Sequence, residues 1–183
     1  MAFMNTDKLI RGTTALLITL SDSEREIVLQ EAERRQEYNS RRNIKGRNGG
    51  VEKGDLALHY HKIGCAGEMA VAKYLGLKKF LFLDIAPTKG SCDLPYHIDV
   101  KTRQRSWHNL IVQKDDTMSK NFWLVTIEHK RINLEGWIYG HEAFQDEYMK
   151  DPAGGREAYF VPKNRLRKPE SFYQYFTPIG SLT

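Results

Sequence analysis

The sequence predicts an α/β fold, with a mixed central β-sheet flanked by helices. Three observations carry this. Two helix signatures come first, one opened by Ser21 and one by Asp55. From residue 80 onward the chain breaks into short segments rich in aromatic and β-branched residues, separated by Gly, Asp, Asn and Pro. A further short helical signature, around residues 142–149, returns after them.

Taken in order, residues 1–20 carry little signal. Ser21-Asp-Ser-Glu24 reads as a capping box, and Ser23 with Glu26 offers a second one. A charged helix should follow to about Tyr38. Its apolar positions, Ile27, Val28 and Leu29, are few, so it reads as peripheral. Residues 39–54 are basic, Gly-rich and nearly free of apolar side chains, which predicts a flexible loop. That loop is either a solvated linker or an arm meeting phosphates through Arg41, Arg42, Lys45 and Arg47. Asp55 can cap a second helix to about Tyr74, closed by Gly76. Strands are expected at 80–83, 98–103, 110–113, 122–127, 137–139 and 159–161, with a basic tail at 163–168. The chain thus divides into an N-terminal helical segment with its basic loop, 1–54, and a core domain, 55–183.

Composition bounds the function. At 183 residues the chain suits one domain with an appendage. The net charge of +5 fits an anionic partner without identifying one. Two cysteines, Cys65 and Cys92, are too few for a disulfide scaffold, so a reduced, cytoplasmic setting is expected. The apolar stretch 15–20 is too short for a membrane span. The chain has no Gly-rich phosphate loop of the Walker type, which excludes a nucleotide-driven motor within it.

The chemistry concentrates in Gly90-Ser-Cys-Asp93-Leu-Pro-Tyr-His-Ile-Asp99-Val-Lys101-Thr-Arg103. Strand alternation sends Asp99, Lys101 and Arg103 to one face and Ile98, Val100 and Thr102 to the other. The bland alternative is an edge strand with an incidental surface pair. The turn decides whether Asp93 joins. A three-residue loop, Pro95-Tyr96-His97, sets Leu94 opposite Ile98 and Asp93 opposite Asp99, with Cβ atoms about 5 Å apart. A two-residue turn would send Asp93 to the opposite face. The first register is the expected one. Two adjacent carboxylates repel, and a hard divalent cation relieves that repulsion.

A third acid, Glu68, lies on the second helix. Gly64, Cys65, Val71 and Ala72 are its neighbours one turn away. Such a small, apolar face packs closely, so a charge there needs a partner or a metal, unless Glu68 sits at a rim and reaches solvent. Gly64 and Gly67 would let the helix approach the sheet.

At these residues the sequence resembles the PD-(D/E)XK nuclease superfamily, over roughly residues 55–139. The pattern is Gly67-Glu68 on a helix, then Asp93, then Ile98-Asp99-Val100-Lys101 on a strand. The resemblance implies a restriction-endonuclease-like fold and metal-dependent hydrolysis of DNA phosphodiesters, with Mg2+ as the metal and Mn2+ as a substitute. It implies Asp93, Asp99, Glu68 and the Val100 carbonyl as metal ligands, and Lys101 as the residue that orients or activates the attacking water. Asp93, Asp99, Lys101 and Glu68 are then the catalytic set. Gln113, on the next strand, matches a polar position near the metal, although a hydrogen-bonded strand-end Gln is the commoner case. Members acting on symmetric duplexes or junctions are often dimers, so a homodimer is among the implied partners. The chain departs from the pattern in three places. Cys92 stands where the family has proline, Asp99 stands where Glu is frequent, and Asp93 and Asp99 are closely spaced.

Arg103 joins the four basic loop residues and Gln113 as a nucleic-acid contact. Tyr96, His97, Trp107 and His108 are aromatics suited to stacking on unpaired bases. His59, His61 and Cys65 could suggest zinc, but no Cys-x-x-Cys pair accompanies them. Two classes of function remain: an endonuclease or exonuclease acting on DNA, and a nuclease-like DNA-binding protein without catalysis. A nuclease acting on RNA also stays open, because nothing in the sequence reads a 2′-hydroxyl.

Overall fold

The computed structural model of the protein describes residues 15–42, 44, 54–82, 91–152 and 154–175. Ser21 begins helix α1 (Asp22–Arg41) through a complete capping box. Its hydroxyl accepts Glu24 N–H at 3.2 Å and its own N–H donates to the Glu24 carboxylate at 2.8 Å. Glu24 also receives Lys73 at 2.7 Å and Lys78 at 2.9 Å, fastening the start of α1 to the end of α2 (Asp55–Leu75). Burial pushes the Glu24 carboxyl up, but the bonds from Lys73, Ser21 and Lys78 outweigh it and hold the pKa at about 2. Gly54, rather than Asp55, is the N-cap of α2, so Asp55 contributes through the helix dipole. Gly76 ends the helix in the left-handed region, at φ 71°.

Strand β1 (Leu16–Ile18) precedes α1; β2 (Ile98–Arg103), β3 (Leu110–Gln113), β4 (Asn121–Glu128) and β5 (Arg131–Tyr139) follow α2. After the single turn α3 (Gly140–Ala143) come β6 (Met149–Lys150) and β7 (Ala158–Val161). A four-stranded sheet has the order β1-β5-β4-β2, and a three-stranded sheet the order β3-β7-β6. The larger sheet is mixed, since β2 is parallel to β4 and the other pairs are antiparallel. The α/β class is therefore as expected.

The flanking layers differ from expectation. Helices α1 and α2 cover one face of the larger sheet, and the smaller sheet covers the other. Strand β4 records this in its side chains. Trp123 and Val125 enter a cluster with Val28, Ala32, Met69 and Val71, while Phe122 and Leu124 enter a second with Leu110, Val112 and Val161. Burying each such side chain contributes roughly 1.5–3 kcal/mol. Burial on both faces explains why this strand reads as an unbroken apolar run. The N-terminal segment is tied into the same body through β1 on β5 and α1 on α2.

Three expected elements need correction. Residues 78–80 form a 3-10 turn and 81–82 a further turn rather than a strand; Leu83 lies outside the described residues. Phe80-Leu-Phe has no polar alternation, and Leu81 is simply buried beneath α2. The helix expected at 142–149 breaks after Ala143, gives a 3-10 turn (Asp146–Tyr148) and ends in β6. Ala143 and Tyr148 both reach the second cluster, and one continuous helix would point them apart. Strand β5 begins at Arg131, well before residue 137. Among the described residues no helix is long and apolar enough to cross a membrane.

Gly67 sets the distance between α2 and β2. A Cβ there would lie 1.9 Å from Thr102 Oγ1 and 3.1 Å from Thr102 Cβ. Gly64 has no such neighbour, so the expected close approach belongs to Gly67 alone of the two. Gly67→Ala is expected to destabilise the protein by about 1–3 kcal/mol in urea unfolding, with part of the loss recovered by adding Thr102→Ala. Unchanged stability would mean that the helix is free to slide.

Candidate functional site on the edge of β2

Strand β2 is an edge of the larger sheet, so half of its backbone groups have no neighbouring strand. The chain just before it supplies their partners. Leu94 bridges Ile98 in antiparallel register, as the three-residue loop requires, and Ile98 C=O accepts N–H from both Asp93 and Leu94. Tyr96 and His97 make the reversal with left-handed φ values of 62° and 56°. Asp93 then reaches along the edge and its Oδ2 accepts Val100 N–H at 2.6 Å. In an extended strand the N–H and C=O of one residue point the same way, so the Val100 carbonyl faces this edge too.

Asp99 and Lys101 leave the strand on the face toward the smaller sheet. Lys101 Nζ lies 2.8 Å from Asp99 Oδ1, 2.9 Å from Asp116 and over the Phe122 ring. Lys120 Nζ donates to Asp99 Oδ2 at 2.5 Å and to Ser91 C=O at 2.7 Å. Asp99 is therefore held between two ammonium groups. Burial pushes its carboxyl up, but Lys101 and Lys120 overcome that and leave its pKa below the ordinary value. Asp116 accepts Gln113 N–H at 2.9 Å, which fixes the end of β3 beside the site.

Glu68 approaches from α2. Both its oxygens accept from Arg35 of α1, at 2.8 and 2.7 Å, and Arg35 Nε donates to Glu31 at 2.7 Å. Burial opposes the Arg35 charge, and the hydrogen bonds and field of Glu68 more than offset it, so its pKa lies above the arginine value. The small-residue surroundings of Glu68 thus reflect a buried ion pair between helices.

Among the described residues no three His, Cys, Asp or Glu side chains converge tightly enough to hold a metal ion between them. The oxygen donors grouped around Val100 are Asp93, Asp99 and the Val100 carbonyl. Asp93 has no ion-pair partner among the described residues. Burial first, then the fields of Glu68 and Asp99, push it up to about 8, against the pull of Val100 N–H and Lys101. An all-oxygen group in which Asp93 has no paired cation fits a hard divalent cation.

The remaining candidates separate. Arg103 and Gln113 line a cavity of about 540 Å3 with Lys101, between β2 and the smaller sheet. Arg103 Nε is buried there without a hydrogen-bond partner. Arg41 pairs with Glu37 of its own helix, and Arg42 lies over Tyr38, so neither reaches this group. Lys45 and Arg47 lie outside the described residues. His59 bonds Gln104 and His61 bonds Asn39, which separates the two histidines of the zinc alternative. Sequence reasoning missed Arg35, Asp116 and Lys120. Only the acidic pair Asp115-Asp116, just after a strand, hinted at any of them. Comparison with protein-family models, with curated proteins and with solved structures finds no match to this chain.

Proposed function

We propose that the protein is a metal-dependent deoxyribonuclease of the PD-(D/E)XK type, with a restriction-endonuclease-like core. One observation carries the reading. Asp93 folds back onto Val100 N–H beside Asp99 and Lys101, on the strand and in the register that the motif requires. Asp93, Asp99 and the Val100 carbonyl would hold Mg2+, or Mn2+ in its place. The bound cation would supply Lewis-acid polarisation of the scissile phosphate and acidify a water.

The chain's own groups do the rest. Lys101 Nζ orients the attacking water and offsets the negative charge that builds on the phosphoryl oxygens. Asp116 and Asp99 hold that ammonium in place, and Lys120 holds Asp99. Glu68, fixed by Arg35, acts on Asp93 through its field. Arg103 and Gln113, which line the adjoining cavity, would meet the strand beyond the scissile phosphate.

A second reading has its own support. Lys101 and Lys120 both occupy Asp99, and Arg35 occupies Glu68, as in a cluster neutralised by its own cations. That favours a nuclease-like DNA-binding protein without catalysis. Plasmid and linear DNA incubated with Mg2+, with Mn2+ and with EDTA separate the two. Strand breaks are expected with either metal and none with EDTA. Intact DNA in all three, with DNA binding retained, would establish the second reading.

A further inference from the structure

Trp107 is 73% exposed, whereas the other two tryptophans, Trp123 and Trp137, are fully buried. It stands on the connection between β2 and β3, and that connection is fastened on both sides. Ser106 N–H donates to Glu128 at 3.0 Å, and Ser106 C=O accepts from Lys163 Nζ. The neighbouring His108 ring meets the indole edge-on, with centroids 4.3 Å apart. A large aromatic is thus held out to solvent on a pinned backbone, with little ordering left to lose on binding.

The surroundings are cationic. Lys101 and Arg103 lead along β2 toward this loop, and Arg105, 54% exposed, follows in the bend after the strand, 3.6 Å from Glu128. Alternate residues on a strand are about 6.6 Å apart, close to the spacing of successive phosphates in an extended single strand. Burial pushes the His108 pKa down, and Arg103, Arg105 and Lys163 push it further against the opposing field of Glu128, so the cations outweigh the acid at the base of the indole. The cavity between the sheets runs along the same strand and is lined by Lys101, Arg103 and Gln113. A regular duplex presents its bases stacked and has no free face for an indole. An unpaired base has one.

We infer that the β2–β3 loop is a stacking platform for unpaired DNA: Trp107 takes a base face while Lys101, Arg103 and Arg105 follow the phosphates, which makes a single strand or a frayed end the preferred substrate. This rests on the reading that the ligand is DNA, and it adds the strand state.

The test is binding of the full chain in EDTA, where the proposed cleavage is silent. The probes are a short fluorescent oligothymidylate and a duplex of the same length. Oligothymidylate should bind at least about tenfold more tightly than duplex and should quench tryptophan emission, because the other two indoles are shielded. Trp107→Ala should lose about tenfold on the single strand and nothing on the duplex, and Trp107→Phe should recover most of the loss. Equal binding by wild type and Trp107→Ala, or a preference for duplex, would overturn the inference. Cleavage is measured separately with Mg2+. Single-strand cutting that is the same in wild type and Trp107→Ala sinks the platform and leaves the nuclease. Trp107-dependent single-strand binding without cutting does the reverse.

Discussion

Replacing Arg35 with methionine is expected to cost roughly 3–5 kcal/mol of stability, the effect of stripping one partner from a buried ion pair. Both oxygens of Glu68 depend on this guanidinium, and Glu68 is only 6% exposed. Glu31 keeps Arg34, at 2.6 and 2.7 Å, so Glu68 carries most of the loss. For a chain of this size the melting temperature should fall by roughly 6–20 °C.

Two accompanying results identify the cause. Arg35→Met with Glu68→Leu should regain most of the stability, because a packed apolar pair replaces the ionic one. The deficit of the single variant should also shrink in acid. A buried carboxyl without its cation has a folded pKa above its unfolded value, so it binds more protons when folded. Stability then falls as pH rises between the two values and is regained below them. A deficit that is constant with pH, in urea titrations from neutral to mildly acidic buffer, would place the loss in the packing of the arginine stem instead.

The same pair marks where the sequence was legible and where it was not. Local signals were read well. The capping box at Ser21, the left-handed stop at Gly76 and the alternation of β2 each involve residues a few positions apart. The hairpin register followed from matching Leu94 with Ile98. What failed depended on distant partners or on rule-breaking turns. The β4–β5 hairpin turns through His129 and Lys130, at φ 49° and 64°, where Gly or Asn would have announced it. Strand β1 has no signature of its own and exists by pairing with β5. Arg35 is one of several basic residues on a charged helix, and Lys120 is one lysine in a polar loop. Nothing local distinguishes either as the cation that a buried acid will need. Glu68 was recognisable as a charge wanting a partner, but the partner came from the other helix.

Lys101→Ala is expected to slow DNA cleavage by about 10²–10³-fold, the usual effect of removing one preorganised donor from a developing oxyanion. The direction of the metal response distinguishes a catalytic role from a structural one. Lys101 now lies between Asp99 and Asp116, and Lys120 remains on Asp99 after the substitution. Removing one ammonium leaves the carboxylates more negative, so the Mg2+ concentration for half-maximal activity should stay the same or fall. Asp99→Asn should do the opposite, removing a ligand and raising it. Lys101→Arg keeps a cation between the two acids and should preserve stability, but a planar fork cannot reproduce the point donor, so the rate should stay low. Single-turnover cleavage at saturating Mg2+, followed by metal titration of each variant, reads all of this. If Lys101→Ala cuts at the wild-type rate, Lys101 is only a counter-ion for Asp99 and Asp116, and the motif resemblance loses its chemical content.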